Sequence, residues 1–196
     1  MSVERTARRR ELYVLAAPIF RSEGYRGSTL KALAAACGLS IPALYRYFPS
    51  KRAIALYPLV VLYPELHGTS PDISSGDPRA YLGGWIDAAV SEMPYYTLAL
   101  RLAREVGLDR SEQSRMEANL ASHIDIVASL VRSAGSRLDE ATSREVASAM
   151  ISIVTGSVLT GIDIEPRSLR RRLLALLRGY GVRLDAETHR EHDRLG

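Results

Sequence analysis

Between Ser28 and Lys51, the spacing of apolar and polar positions predicts two short helices joined by a tight turn. In the first helix, apolar residues recur at i, i+3, i+4 and i+7, which places them on one face. Gly38 follows that face and can adopt the left-handed conformation that often ends a helix. Ser40 can then cap a second helix, which we predict over Ile41–Phe48. This arrangement is typical of a helix-turn-helix, whose second helix can lie in the major groove of DNA.

An apolar stripe that precedes this pair predicts a further helix over Thr6–Glu23. Its apolar face can cover the two short helices. Pro18 lies inside the segment and lacks a backbone donor, so we expect it to bend the helix. The stripe consists of Leu12, Leu15, Ala16, Ile19 and Phe20.

After residue 50 the helical pattern continues to about residue 182, without a convincing strand. Ser50 predicts the start of a fourth helix that runs to Leu62, and the residue types over 67–77 predict a turn-rich loop. Pro94 predicts a boundary between two helices. The other predicted helices are Tyr81–Glu92, Tyr95–Val106, Ser111–Ser133, Glu140–Leu159 and a last one that begins at Pro166. We therefore predict an all-α protein.

Four segments within about residues 8–56 form a recognisable set: Gly24-Tyr25, Ser28-Thr29-Leu30, Gly38-Leu39-Ser40 and the stretch from Ala43 to Lys51. Together they resemble the TetR family of bacterial transcriptional regulators. The run Leu-Tyr-x-x-Phe-x-Ser-Lys, at its distance from Gly24-Tyr25, is specific, and beyond residue 56 only the layout is similar. The resemblance implies a three-helix DNA-binding domain over 1–50 and a helical ligand-binding and dimerisation domain of about six helices over 51–182. Residues 183–196 are mostly polar, which predicts a C-terminal tail.

The resemblance also implies which residues contact DNA. It assigns phosphate contacts to Thr29, Tyr45, Tyr47 and Lys51, whose hydroxyl and ammonium groups suit anionic oxygens. The residues expected to face the bases at the start of the second helix lack side-chain donors, so they can read thymine methyl groups but not guanine. For each position the alternative is an ordinary solvated surface residue. The predicted DNA-binding residues are Thr29, Lys31, Ser40, Ile41, Pro42, Ala43, Tyr45, Arg46, Tyr47 and Lys51, with Arg46 or Lys31 as guanine candidates.

The charge distribution supports a phosphate-binding N-terminal region. Residues 1–53 carry ten basic and three acidic groups, net +7, whereas the remainder carries 16 basic and 19 acidic groups, net −3. A chance fluctuation in an arginine-rich chain is the alternative. The run Arg8–Arg10 predicts an additional flexible basic arm on the DNA.

A homodimer on a near-palindromic site is implied by the resemblance, with the last two helices as its interface. The helix Glu140–Leu159 carries small residues at four-residue steps, which would let another helix approach closely. Packing within one chain is the alternative. Dimerisation would place two recognition helices about 34 Å apart, one turn of DNA. The small residues are Ser148, Ser152, Gly156 and Thr160, beside Val146, Ala149, Met150 and Ile153.

The middle helices would hold the effector, and their aromatic residues nearly all carry hydrogen-bonding groups. We expect a small amphipathic ligand on this basis, although an ordinary core explains the same residues. The predicted ligand-binding residues are Trp85, Met93, Tyr96, Leu100 and His123.

The remaining sequence features indicate neither an enzyme nor a membrane protein. Cys37 is the only cysteine, lies on an apolar helical face, and favours a reducing compartment. The uncharged run Val146–Ile162 is too polar for a membrane span, and the N-terminal apolar run lacks a cleavage site. His189 and His192 lie in a polar tail without metal-binding partners. We predict a cytoplasmic protein with no cofactor, metal or catalytic residues.

The sequence as a whole predicts a TetR-like transcriptional regulator. We expect a dimeric repressor that binds a near-palindromic operator on double-stranded DNA and is released by a small amphipathic ligand. An activator or a repressor without a ligand is also compatible with these features. The alternative class is a helical small-molecule or lipid-binding protein, or an enzyme, with an incidental basic N-terminal domain.

Overall fold

The computed structural model describes residues 3–62, 76–135, 137–159 and 165–184. Within these ranges the regular structure is entirely helical, which confirms the all-α prediction. The helices are α1 (Val3–Gly27), α2 (Leu30–Ala36), α3 (Ile41–Tyr45), α4 (Lys51–Ala55), a π-helix (Pro58–Leu62), α5 (Pro78–Val106), α6 (Arg110–Ala134), α7 (Glu140–Leu159) and α8 (Pro166–Gly179).

Side-chain caps and one glycine define the short helices as the sequence predicts. The hydroxyls of Thr29, Ser40 and Ser50 each accept a hydrogen bond from the backbone N–H three residues further on, at 3.0–3.3 Å. These bonds satisfy donors that have no partner inside the helix. Gly38 has a φ of 65°, the left-handed conformation that ends α2 and admits the turn.

Prolines lie near three of the places where the helices differ from the predictions. α3 ends at Tyr45 rather than Phe48, and Phe48 precedes Pro49, which disfavours the helical conformation at that position. α4 ends at Ala55, and a π-helix replaces its predicted continuation from Pro58, which cannot donate to the preceding turn. Pro94 lies inside the continuous helix α5, so the two predicted helices there are one. Because Pro94 has no backbone N–H, the carbonyl of Val90 lacks its usual donor within α5.

α1 runs through Pro18, and its non-helical backbone lies instead at Gly24, with a φ of 68°. The buried face of α1 also differs from the predicted stripe. Leu15 is 41% exposed, whereas Tyr13 and Ala17 are fully buried. The centroid of the Tyr13 ring lies 5.9 Å from the ring centroids of both Tyr57 and Tyr95, so a large aromatic contact orients the helix.

The chain divides into two compact units. The first contains residues 1–69, 92–123 and 158–161, and the second contains 70–91, 124–157 and 162–196. In the first unit, α1 to α4 enclose a core with Leu33, Leu44 and Phe48, to which Leu98 and Leu102 of α5 also belong. The predicted domain boundaries stay predictions.

In the second unit, α7 and α8 each bury one face. α7 buries Val146, Met150 and Val154, and α8 buries Leu169, Leu173 and Leu177. Tyr180, the residue that follows α8, is exposed. Among the described helices, none is sufficiently long and apolar to span a membrane. His189 and His192 lie outside the described residues, as does Thr160.

Candidate nucleic-acid interface

The outward face of α3 is the first part of the candidate interface. Ile41, Pro42 and Arg46 are exposed, and Tyr45 is 46% exposed. The opposite face is anchored by Leu44, which is buried, and Ala43 between the two faces is half-buried. A short helix that presents an apolar start and an arginine to solvent can offer both methyl contacts and guanine-directed donors.

The predicted contacts around α2 are also accessible. Thr29, Lys31 and Ser40 are exposed. The Thr29 and Ser40 hydroxyls accept the capping bonds through a lone pair, so each keeps its own O–H available to donate. Together with α3, these residues give a surface that carries hydroxyl and cationic donors, as phosphate contacts require.

Tyr47 is half-buried and less accessible than its predicted role suggests. It packs against the first-unit core and is hydrogen-bonded to Arg8. The Arg8 pKa is raised, first by its hydrogen bond to Glu11 at 2.6 Å and further by Tyr47. Tyr47 therefore joins the turn after α3 to α1.

The prediction of a flexible arm at Arg8–Arg10 is wrong, because these residues belong to α1. The Arg9 guanidinium is buried 5.4 Å from the centroid of the Phe48 ring and 5.0 Å from that of Tyr57. Arg10 donates from Nε to Oε1 of Glu92 at 3.0 Å. The helix directs successive side chains to different partners, so two of the three arginines stabilise the protein interior.

Lys51 faces the protein's own backbone. Its Nζ donates to the carbonyls of Tyr25 at 2.7 Å and Ser28 at 2.8 Å. It also lies 4.3 Å from the centroid of the Tyr25 ring, which is a cation–π distance. Two of its three donors are therefore used at the corner between α1 and α2.

Arg52, the next residue, has a structural role that the sequence does not reveal. Its guanidinium forms a two-pronged ion pair with Glu112 and also donates to the carbonyls of Val106 and Gly107. Glu112 in turn exchanges capping bonds with Asp109, at 2.9 and 2.8 Å, at the start of α6. The Arg52 hydrogen bond is the main cause of the lowered pKa of Glu112. The Asp-x-x-Glu spacing is a capping-box signal, but it does not reveal the arginine.

Cys37 is buried below this surface, and burial raises the pKa of its thiol. Its Sγ donates to the Leu12 carbonyl at 3.3 Å, so the thiol serves the packing of α1 against α2.

The predicted ligand-binding residues are placed in both units. Met93, Tyr96 and His123 are buried and Leu100 is half-buried in the first unit, while Trp85 is buried in the second. In the part of the chain that the structure describes, no three histidine, cysteine or acidic residues group as a metal site.

The short capped helices and the exposed face of α3 define an all-α helix-turn-helix protein. Residues 12–57 match the family described as bacterial regulatory proteins, tetR family. Residues 12–57 therefore match the N-terminal domain of that family, which confirms the resemblance recognised in the sequence. A comparison with curated protein sequences gave no match.

Solved structures of transcriptional regulators share this fold. The TetR family regulator PfmR from Thermus thermophilus has a TM-score of 0.57 and 21% identity, over 85% of this chain and 97% of that chain. NalD of Pseudomonas aeruginosa, the secondary repressor of the MexAB-OprM multidrug efflux pump, has a TM-score of 0.52 and 20% identity, over 88% and 95%. AibR, solved with isovaleryl coenzyme A and operator DNA, has a TM-score of 0.50 and 16% identity, over 90% and 98%.

Proposed function

We propose that this protein is a dimeric transcriptional repressor that binds a near-palindromic operator through α3 and is released by a small amphipathic ligand. The observation that carries the proposal is the exposed face of α3, which presents Ile41, Pro42, Tyr45 and Arg46 away from a buried anchor. Apolar side chains at the start of the helix suit thymine methyl groups, and Arg46 suits the acceptors of guanine. Thr29, Lys31, Ser40, Ala43, Tyr47 and Lys51 complete the proposed contact set.

The test of DNA recognition uses two exposed residues whose loss should not disturb the core. We expect Tyr45→Ala/Arg46→Ala to abolish specific binding to the DNA that flanks the protein's own gene, measured by fluorescence anisotropy. Arg115→Ala/Leu120→Ala, which removes an exposed basic and an exposed large residue from α6, serves as the matched control. Equal affinity of both double variants and the wild type would contradict the proposal.

The outward face of α7 supports dimerisation through the last two helices. Ser148 and Ser152 are exposed and Ala149 is half-buried, whereas Val146 and Met150 are fully buried within the chain. Small side chains allow a partner helix to approach closely. Ser152→Arg should therefore convert a dimer to a monomer in multi-angle light scattering, while Arg115→Ala should not. A wild-type monomer at micromolar concentration would refute this part.

The proposed effector site draws on Met93, Tyr96, Leu100 and His123 of the first unit. NalD and AibR illustrate that proteins of this fold include a repressor and a protein that binds both operator DNA and an acyl coenzyme A. Tyr96→Phe removes only the hydroxyl, so it should weaken the response of the DNA complex to polar amphipathic compounds while leaving DNA binding unchanged. A screen in which Tyr96→Ala releases DNA as the wild type does would refute the site.

A further inference from the structure

A buried carboxylate on α5 has only one of its two oxygens bound. The Glu92 side chain is 7% exposed, and its Oε1 accepts hydrogen bonds from both Nε and Nη2 of Arg10 on α1. Among the residues that the structure describes, none provides a hydrogen bond to Oε2 of Glu92, which is buried. Such an acceptor is rare in native proteins, because nothing compensates for the water that it loses on burial. This oxygen therefore lacks the donor that a buried carboxylate requires.

Glu92 lies at the border between two faces of α5. On one side of it, the ring centroid of Tyr95 lies 5.9 Å from that of Tyr13 on α1. Successive residues of an α-helix are about 100° apart, so Tyr96 and Met93 lie about 40° and 100° from Glu92, on the side away from Tyr95. Both are buried residues of the proposed effector site. The helix therefore holds the carboxylate between the contact with α1 and that site.

The charge balance around Glu92 favours an uncharged donor. The Arg10 guanidinium already supplies a positive charge to this carboxylate, so Oε2 lacks a hydrogen bond rather than a counter-charge. A second cation would have to share a carboxylate that is already paired, and a buried charge without full compensation is costly. An uncharged O–H or N–H group satisfies the oxygen and preserves the neutral pair.

We infer that Glu92 is an effector-binding residue whose Oε2 accepts a hydrogen bond from an uncharged amphipathic ligand, one with an O–H or N–H group on an apolar body. The apolar body packs on Met93 and Leu100, which share the adjacent face of α5. This inference rests on the proposed function, because it assigns a chemical class to the ligand of the same effector site. It also gives the ligand and Arg10 of α1 a shared carboxylate.

Two isomeric probes test the hydrogen bond, because they differ in the donor. n-Octanol and methyl heptyl ether contain the same atoms and an oxygen acceptor each, but only the alcohol has an O–H group. Titration calorimetry on the full chain without DNA measures both dissociation constants. We expect the wild type to bind n-octanol about tenfold more tightly than the ether, which corresponds to about 1.4 kcal/mol. Equal affinities, or no binding of n-octanol up to its solubility limit, would overturn the inference.

Glu92→Gln tests the acceptor itself. An amide has one oxygen and one NH2 group, and Arg10 donates to the oxygen, so the NH2 group takes the place of Oε2. That position then donates instead of accepting, and we expect the preference for n-octanol to disappear. Glu117→Gln, at an exposed position on α6, is the matched control and should keep the preference. Each preference is a ratio measured within one variant, so a change in stability alone does not produce it. A Glu92→Gln protein that retains the tenfold preference would overturn the inference.

Octylammonium tests the assignment of charge. It has the same apolar chain as n-octanol and carries N–H donors, but it brings a positive charge. We expect the wild type to bind octylammonium less tightly than n-octanol, because Arg10 already balances the carboxylate. Tighter binding of octylammonium would overturn the uncharged class of ligand.

The inference and the proposed function fail differently in these experiments. A wild-type protein that binds its operator but does not distinguish n-octanol from the ether refutes only the role of Glu92. A protein that shows the preference, loses it in Glu92→Gln and binds no operator refutes the repressor function, and the ligand contact of Glu92 stands.

Discussion

Replacing Glu112 with glutamine removes the charge from one member of the ion pair between α4 and α6. The Glu112 side chain is 11% exposed and that of Arg52 is 31% exposed, so the pair lies between a buried and a surface ion pair. Removing one partner of a buried pair costs about 3–5 kcal/mol, whereas an exposed pair contributes about 0–1 kcal/mol. Because Arg52 keeps the carbonyls of Val106 and Gly107, we expect Glu112→Gln to lower the free energy of unfolding by about 2 kcal/mol.

The effect of this substitution should depend on pH with a defined sign. The pKa of folded Glu112 lies below its usual value of 4.5, so the ionised carboxylate stabilises the folded state above that pH. The contribution is lost as pH falls through the folded pKa. The difference between wild type and Glu112→Gln should therefore be full at pH 7 and shrink below about pH 4.5.

Urea unfolding at several pH values measures this difference in unfolding free energy. In thermal unfolding at pH 7, the loss of about 2 kcal/mol should lower the unfolding temperature of Glu112→Gln by about 4–8 °C. Asp125→Asn is the matched control, because Asp125 pairs with Arg144 while both side chains are more than half exposed, at 56% and 55%. We expect at most about 1 kcal/mol for that control. Equal losses in the two variants, or a difference for Glu112→Gln that grows as pH falls, would refute the reasoning.

Two further predictions concern the backbone and the buried thiol. Gly38→Ala should destabilise the protein by about 1–2 kcal/mol because the φ of Gly38 is 65°, whereas Gly84→Ala inside α5 should stabilise it by about 0.5–1 kcal/mol. At both positions the added carbon would meet no atom within 4 Å beyond the adjoining backbone, so packing does not decide the sign. Urea unfolding that gave both changes the same sign would contradict this prediction. Burial raises the pKa of Cys37, so its thiol should react slowly with a disulfide reagent at pH 8 until urea unfolds the chain, and rapid reaction of the native protein would contradict that assignment.

Local signals were sufficient to predict the helix-turn-helix. Thr29, Ser40 and Ser50 cap their helices through bonds that span three residues, and Gly38 turns the chain by its own conformation. Each of these features depends on residues adjacent in sequence, so a short window contains the information. The family motifs cover the same stretch, and the match over residues 12–57 confirms the recognition.

Partners distant in sequence could not be predicted in the same way. Arg9 packs on Phe48 and Tyr57, Arg10 binds Glu92, and Lys51 binds backbone at Tyr25. A basic residue has the same sequence signature whether it faces phosphate, an aromatic ring or a carbonyl. The flexible-arm prediction failed for this reason.

Periodicity also gave an incomplete account of faces and boundaries. Leu15 fits the apolar stripe of α1, but Tyr13 buries more surface and orients the helix so that Leu15 is exposed. Pro94 has the signature of a helix start, yet α5 continues through it. The proposed contacts with DNA and effector depend on the chemistry of whole surfaces. A local sequence pattern does not predict which operator or which effector those surfaces bind.

The most direct test of the central claim is footprinting of the wild-type protein on the DNA that flanks its own gene, repeated over a salt series. The account predicts a protected near-palindrome with half-sites about 10 base pairs apart, and affinity that falls steeply as salt rises. Uniform, sequence-independent protection at every salt concentration would contradict it.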